Sequence, residues 1–313
     1  MSKIVMIIIN YNGWEDTIEC LESLDNTLYS GSYDMSLILI DNKSPNDSLE
    51  HLIPFMTNKY GKDYVFAKHE EDALDHKVVL FASEDNYGFS GGNNIGIRIA
   101  QKRKADYTLL LNNDTTVEGD FVKSMLEIME KDSNLGIVAP KQTYYYNHTN
   151  YTIGGYFSKF KCSGYAYHNS DQADGKYVNY LSGCCWLLRM SAIEKCGLMD
   201  ESFFMYVEDV EYSCRFVENG YKLLCTSTSE VFHKEGRSTS LKPSLYYYNT
   251  RNRLYLSKKM GYSWLMRCSF YSYLLAIRLI GCLKYPEIRP FVVKAVQDYR
   301  KGIMGKTDFN INK

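Results

Sequence analysis

Two adjacent carboxylates, Glu208 and Asp209, follow the aromatic run Phe203-Phe204-Met205-Tyr206. An apolar wall raises a carboxylate's pKa, and a carboxylate so raised can take a proton from a hydroxyl. The same acids would also suit a first helical turn, where the macrodipole favours negative charge. A second acidic position ends the leucine run Leu109-Leu110-Leu111-Asn112-Asn113-Asp114. A carboxylate at the end of so apolar a strand must be hydrated, paired or bound to a cation. A hard divalent ion held by Asp114 would neutralise a departing diphosphate. His233, flanked by Lys234 and near Arg237, offers an imidazole to complete such a metal shell and cations for phosphate.

Three other segments bring polar groups without an obvious acid–base task. Asn10-Tyr11-Asn12 offers amides for the edge of a nucleobase and a ring beside it, or simply an Asn-Gly turn into Gly13. Asp41-Asn42 ends the apolar run Leu37-Ile38-Leu39-Ile40, where a carboxylate can accept from a base N–H or shape an Asx-turn. The stretch from Gly88 to Gly96 holds Gly91, Gly92, Asn93 and Asn94. Its glycines would let backbone approach phosphate at the start of a helix. It is not a dinucleotide fingerprint, because glycine at the third position from Gly91 is replaced by Asn93.

The elements that must position these groups alternate. Continuous apolar runs at residues 4–9, 37–40, 78–81, 107–111 and 136–139 predict strands buried on both faces. Apolar spacing near 3.6 predicts helices over 16–28, 93–101, 121–129, 191–196 and 210–217. Each motif stands near the carboxyl end of a strand, where an open α/β sheet holds its ligand. Residues 141–176, rich in Tyr, Gly, Asn and Ser, predict strand and loop, and residues 178–188 and 221–225 predict further strands. Beyond Pro243 three helices are expected, over 245–259, 264–283 and 291–301.

Hydrophobic residues at 45% and charged residues at 23% describe an ordinary folded chain. Nine cysteines without a C-x-x-C pair predict reduced thiols in the cytoplasm and argue against a zinc site. Residues 1–10 enter a strand directly, so no secretory signal is expected. The most apolar stretch, 262–285, is interrupted by Arg267 and Arg278. Charge is segregated: residues 241–306 carry thirteen Lys/Arg against two acids, while residues 1–240 sum to −12. The acidic front and the lack of a recognised module disfavour nucleic acid. The basic, aromatic back end suits an anionic lipid surface.

Taken in order, the strings resemble those of glycosyltransferase family 2 enzymes of the GT-A fold, in particular a rhamnosyltransferase-like branch. They are Asn10-Tyr11-Asn12, Asp41-Asn42, Gly88 to Gly96, Asn112-Asn113-Asp114, Leu181-Ser182-Gly183, Asp200 to Asp209, Phe232-His233 and Arg251-Asn252-Arg253. The resemblance implies an α/β fold with a mostly parallel sheet. Residues 1–240 would be the catalytic domain, with a nucleotide-sugar half to about 140 and an acceptor half after it. Residues 241–313 would be a helical appendage. It implies that Asn10, Tyr11, Asn12, Asp41, Asn42, Gly91, Asn93, Asn112, Asn113 and Arg251 line the nucleotide-sugar, with Arg253 near the diphosphate or acceptor. Asp114 and His233 would hold Mg²⁺ or Mn²⁺, and Asp209, with Glu208 beside it, would activate the acceptor. Where the family has an acid at the start of its metal motif, this chain has Asn112. The implied activity is inverting transfer of a sugar, first dTDP-rhamnose and next a UDP-hexose, to a saccharide or lipid-linked saccharide. Polysaccharide synthesis at the inner face of the cell membrane would be its setting. The alternative is a non-catalytic nucleotide-sugar-binding module of the same fold.

Overall fold

The computed structural model describes residues 1–234 and 243–309. The chain opens with β1 (Lys3–Asn10), α1 (Trp14–Ser23), α2 (Asp25–Leu28), β2 (Asp34–Asp41), α3 (Ser48–Tyr60), β3 (Tyr64–Ala67), β4 (Val78–Ala82), α4 (Gly88–Lys102) and β5 (Tyr107–Asn112). It continues with β6 (Thr115–Val117), α5 (Phe121–Lys131), β7 (Leu135–Tyr144), β8 (Tyr151–Ser158), β9 (Ser163–His168), β10 (Tyr177–Val178), β11 (Cys185–Arg189), α6 (Met190–Cys196), α7 (Glu208–Glu218) and β12 (Lys222–His233). Three helices follow the undescribed stretch: α8 (Pro243–Lys259), α9 (Trp264–Lys284) and α10 (Arg289–Lys301).

One sheet runs β10-β12-β7-β11-β5-β1-β2-β4-β3. Strands β5, β1, β2, β4 and β3 are parallel, which makes one half a doubly covered α/β layer. β11 enters antiparallel between β5 and β7 and so turns the sheet mixed. Alternate residues of β1 feed opposite cores. Ile4, Met6 and Ile8 meet Leu21, Leu52 and Met125 on one face, while Val5 and Ile7 meet Ile97, Ile99 and Tyr212 on the other. That two-sided burial is why the strand reads as unbroken apolar sequence.

The helix expected over 16–28 is broken at Leu24 into α1 and α2. Helix α3, with Pro54 inside it, and strand β3 were not legible from periodicity. Strand β12 extends to His233, well past the expected 221–225, across an irregularity between Thr226 and Glu230. Helix α4 begins at Gly88, earlier than the expected 93, so the glycine-rich segment forms its first turns. A Cβ at Gly96 would lie 2.6 Å from Ile7, and one at Gly92 2.9 Å from Ile9. These glycines let α4 lie close on β1.

Helix α9 is long and apolar enough, by length and composition, to cross a membrane, yet little of it is buried. Phe270 and Leu274 pack inward, and Arg278 turns back to Thr250 and Asn249.

Candidate active site

Strand ends and the C-terminal segment enclose an open crevice of roughly 1680 Å³. Tyr11 after β1, Asn42 after β2, Asn93 on α4, and Asn112, Asn113 and Asp114 after β5 all line it, as does His233 at the end of β12.

Pairing of β12 with β6 sets His233 opposite Thr115, the residue after Asp114. His233 Nε2 then lies 3.1 Å from Asp114 Oδ1. Burial works against an imidazolium here, but Cys184 and Asp114 beside the ring outweigh it and push His233 up to about 11. Burial also works against the Asp114 carboxylate, and the hydrogen bond and charge of His233 overcome it, leaving Asp114 below its ordinary value. Lys234 lines the crevice too, donates to Asp16 and Glu19 on α1 and lies over the Tyr145 ring, and its charge also helps hold Asp114 low. Arg237 lies outside the described residues. Asn113 donates to Thr17 Oγ1 at 2.8 Å and to the Gly13 carbonyl, which pins the turn to α1. Among the described residues no cluster of three or more His, Cys, Asp or Glu could hold a metal. Asp114 supplies one oxygen donor, and His233 one nitrogen donor once a cation displaces its proton, a set that fits a divalent cation whose other ligands come from substrate phosphates.

The nucleotide-facing expectations divide. Asn10 and Asp41 are fully buried and bonded to each other at 2.8 Å. Asp41 also accepts from the Ser44 hydroxyl and amide, and Asn10 accepts from Thr17. Neither is among the residues that line the crevice. Asn12 is exposed with φ 61° and donates its amide to Ser44, again outside the lining. Asn42 holds the loop before α4 by donating to Asn86 and the Gly88 carbonyl and accepting from Tyr87. Gly91 lines a separate, smaller cavity with Lys68 and Arg98. A Cβ there would meet Tyr87 at 2.6 Å, so its smallness serves packing. Arg251 is fully buried, donating to Tyr247, Thr307 and Asn252. Arg253 donates to the carbonyls of Lys161 and Cys162. Neither arginine lines the crevice, because both tie α8 into the interior.

Glu208 and Asp209 open α7. The loop before them is strained: Phe204, Tyr206 and Val207 have φ of 61°, 65° and 77°, a region that non-glycine residues avoid. Phe204, Met205 and Tyr206 line the crevice, and Glu208 and Asp209 follow them in the chain without being part of its lining. Burial, reinforced by the charge of Asp209, pushes Glu208 up to about 8, and its Oε2 has no hydrogen-bond partner. Burial also raises Asp209, opposed by hydrogen bonds from the Tyr180 hydroxyl and the backbone of Val210 and Gly183. Gly183 joins the two corners. It packs on Asp209, while its neighbour Cys184 touches His233 and accepts from the Asn112 amide.

Several residues had no role in the sequence reading. Tyr180 reaches Asp209 from between Gly155 and Gly164, where a Cβ would lie within 2.8 Å of its ring. Lys306, Thr307, Asp308 and Phe309 return to line the crevice beside Tyr246 and Tyr248. Only the tyrosine-rich start of α8 hinted at this in sequence.

The family model "Glycosyl transferase family 2" matches residues 5–197, and "Glycosyl transferase family group 2" matches residues 107–293. Among similar proteins, the low-salt glycan biosynthesis hexosyltransferase Agl10 of Haloferax volcanii is 24% identical over 72% of this chain and 76% of its own. The N-acetylglucosaminyl-diphospho-decaprenol L-rhamnosyltransferase of Mycobacterium tuberculosis is 39% identical over 67 residues, 21% of this chain and 22% of its own. A structure of GalNAc-T7 with UDP, GalNAc and Mn²⁺ matches 82% of this chain at TM-score 0.62 and 16% identity. This chain covers 48% of that protein. The Pyrobaculum calidifontis mannosyltransferase PcManGT with GDP-Man and Mn²⁺ matches 97% of this chain and 76% of its own at TM-score 0.56 and 11% identity.

Proposed function

The chain belongs to glycosyl transferase family 2 and has the GT-A fold, and from that premise we propose an inverting transfer in which Asp209 activates the acceptor hydroxyl. The observation that carries this reading is the Gly183–Cys184 dipeptide, with Asp209 against one residue and His233 against the other. Inversion needs a base on the acceptor side and charge stabilisation on the leaving side, and the two corners fill those roles.

Glu208 has no hydrogen-bond partner at Oε2, while Asp209 accepts from the Tyr180 hydroxyl and from backbone amides, an arrangement that favours the charge of the pair on Asp209, the member that takes the acceptor proton. Asp114, and His233 once its proton is displaced, would hold Mg²⁺ or Mn²⁺, which would supply Lewis acidity for a diphosphate leaving group. Asn112, in place of an acid, adds a hydrogen-bonding amide and no charge, so affinity for the cation depends on the diphosphate.

The donor is a nucleotide-sugar. dTDP-rhamnose is our first choice, supported by the motif order and by the segment shared with the mycobacterial rhamnosyltransferase, and UDP-hexoses come next. The acceptor is a saccharide or a lipid-linked saccharide in surface polysaccharide synthesis at the inner membrane face. In support of the lipid surface, Trp264, Leu265, Leu275, Leu279, Ile280 and Leu283 stand exposed along α9. The basic charge of the same C-terminal region suits anionic lipid.

The decisive assay is nucleoside-diphosphate release from a panel of nucleotide-sugars with Mn²⁺ and candidate acceptors. Asp209→Asn should lower turnover by about 10²–10⁴-fold and leave nucleotide affinity within a few-fold. Near-normal turnover of Asp209→Asn overturns the reading. Absence of transfer by the wild-type chain, with tight nucleotide binding, would favour the non-catalytic module.

A further inference from the structure

Three residues of the four at 204–207, Phe204, Tyr206 and Val207, occupy the left-handed region without being glycine. Each such residue costs on the order of 1–3 kcal/mol, and the conformation persists only where the surroundings over-determine it. Val207, β-branched, is the most unfavourable of them, and it is also the N-cap of α7 without a side-chain cap. The direction in which Glu208 and Asp209 leave this loop is therefore set from outside it.

The grip comes from α8. Asn252 is completely buried, and its Nδ2 lies 2.7 Å from the Phe203 carbonyl and 2.9 Å from those of Met205 and Tyr206. Two N–H groups thus serve three carbonyls of one loop. The amide cannot turn over without loss, because its Oδ1 accepts from Arg251 Nε at 3.1 Å and an arginine only donates. On the other side, the Phe89 amide donates to the Phe204 carbonyl at 2.7 Å. Gly88 gives that carbonyl room, since a Cβ would lie 2.1 Å from it. The loop is pinched between the start of α4 and the middle of α8.

We infer that Asn252 is a positioning residue for the acid pair. It touches neither crevice nor substrate, and holds Glu208 and Asp209 in place by fixing the strained backbone before them. The inference rests on Asp209 being the base. It gives Arg251 a task different from diphosphate binding, namely orienting the Asn252 amide.

The test uses the full chain. Asn252→Ala should lower kcat about 100-fold, equivalent to losing near-attack alignment, with affinity for UDP and dTDP in Mn²⁺ changed less than about threefold. Adding Val207→Gly, which lets the loop take its left-handed turn without the clamp, should recover about tenfold of that kcat. Independently of any substrate, hydrogen exchange in Asn252→Ala should accelerate over residues 203–212 and stay unchanged in β1 and β5. Wild-type kcat in Asn252→Ala, no recovery on adding Val207→Gly, or unchanged exchange over 203–212 would each overturn the inference. If Asn252→Ala fails to fold, Gly88→Ala displaces the same carbonyl from the α4 side and must show the same exchange change. Asp209→Asn is run alongside. An active Asp209→Asn sinks the assignment of the base, whereas an inactive one beside a fully active Asn252→Ala sinks only the clamp.

Discussion

At the scale of single residues, the acid pair is chemically uneven. Glu208 is held above the ordinary carboxylate range by burial, and its folded pKa exceeds its unfolded one. The sign follows directly. Its neutral form contributes stability that is fully present below the unfolded pKa and is lost as pH rises through about 8. Glu208→Gln removes that loss, so it should stabilise the chain at pH 9 relative to wild type and show no advantage at pH 4. Urea unfolding at the two pH values measures it, and equal effects at both would contradict the burial of this carboxyl. At the other corner, Asp114→Asn or His233→Ala should lower the Mn²⁺-dependent part of nucleotide affinity at least about tenfold. Calorimetry with and without EDTA separates that part, and the metal-free affinity should be unchanged.

Among elements, α4 and α9 matter for opposite reasons. Helix α4 lies so close to β1 that Gly96 has no room for a methyl, since a Cβ there would lie 2.6–2.7 Å from three atoms of Ile7. Gly96→Ala should therefore destabilise by about 1–3 kcal/mol despite alanine's better helix propensity. A neutral or stabilising effect in thermal unfolding would show that the helix lifts off freely. Helix α9 instead leaves Leu279 and Leu283 64% and 76% exposed, a stripe that folding alone does not explain. Leu279→Glu with Leu283→Glu should leave the melting temperature within a few degrees and weaken flotation on anionic vesicles at least about tenfold. Equal flotation of both proteins would remove the lipid surface from the proposal.

For the molecule as a whole, the helical C-terminal region is tied back to the first part of the chain at several points. Lys306 pairs with Asp85, Gly305 donates to the Ser202 carbonyl, and Phe309 packs on Tyr247 and Tyr248. The last described residues thus complete the crevice wall. Ending the chain after Lys301 should raise the donor KM several-fold, by removing lining without touching Asp209 or Asp114. Unchanged KM in that truncation would make the tail a bystander.

The sequence by itself determined which residues carry charge and where they stand along the strands. Strands buried on both faces must be apolar throughout, so β1, β2, β4 and β5 were legible, and Asn42, Asp114 and Asp209 stood out at or beyond element boundaries. The order of those strings was enough to suggest the family. Only the tertiary structure decided which polar groups face the crevice. Asn10 and Asp41 satisfy each other, Arg251 and Arg253 are buried in α8, and Gly91 serves packing, because a buried polar group must find a complementary partner within the fold. Contacts far apart in the chain, His233 with Asp114 and Asn252 with the loop at 203–206, exist only once strand pairing and helix docking bring them together. No local period encodes such contacts, since they depend on sheet order and on how α8 packs, not on spacing along the chain.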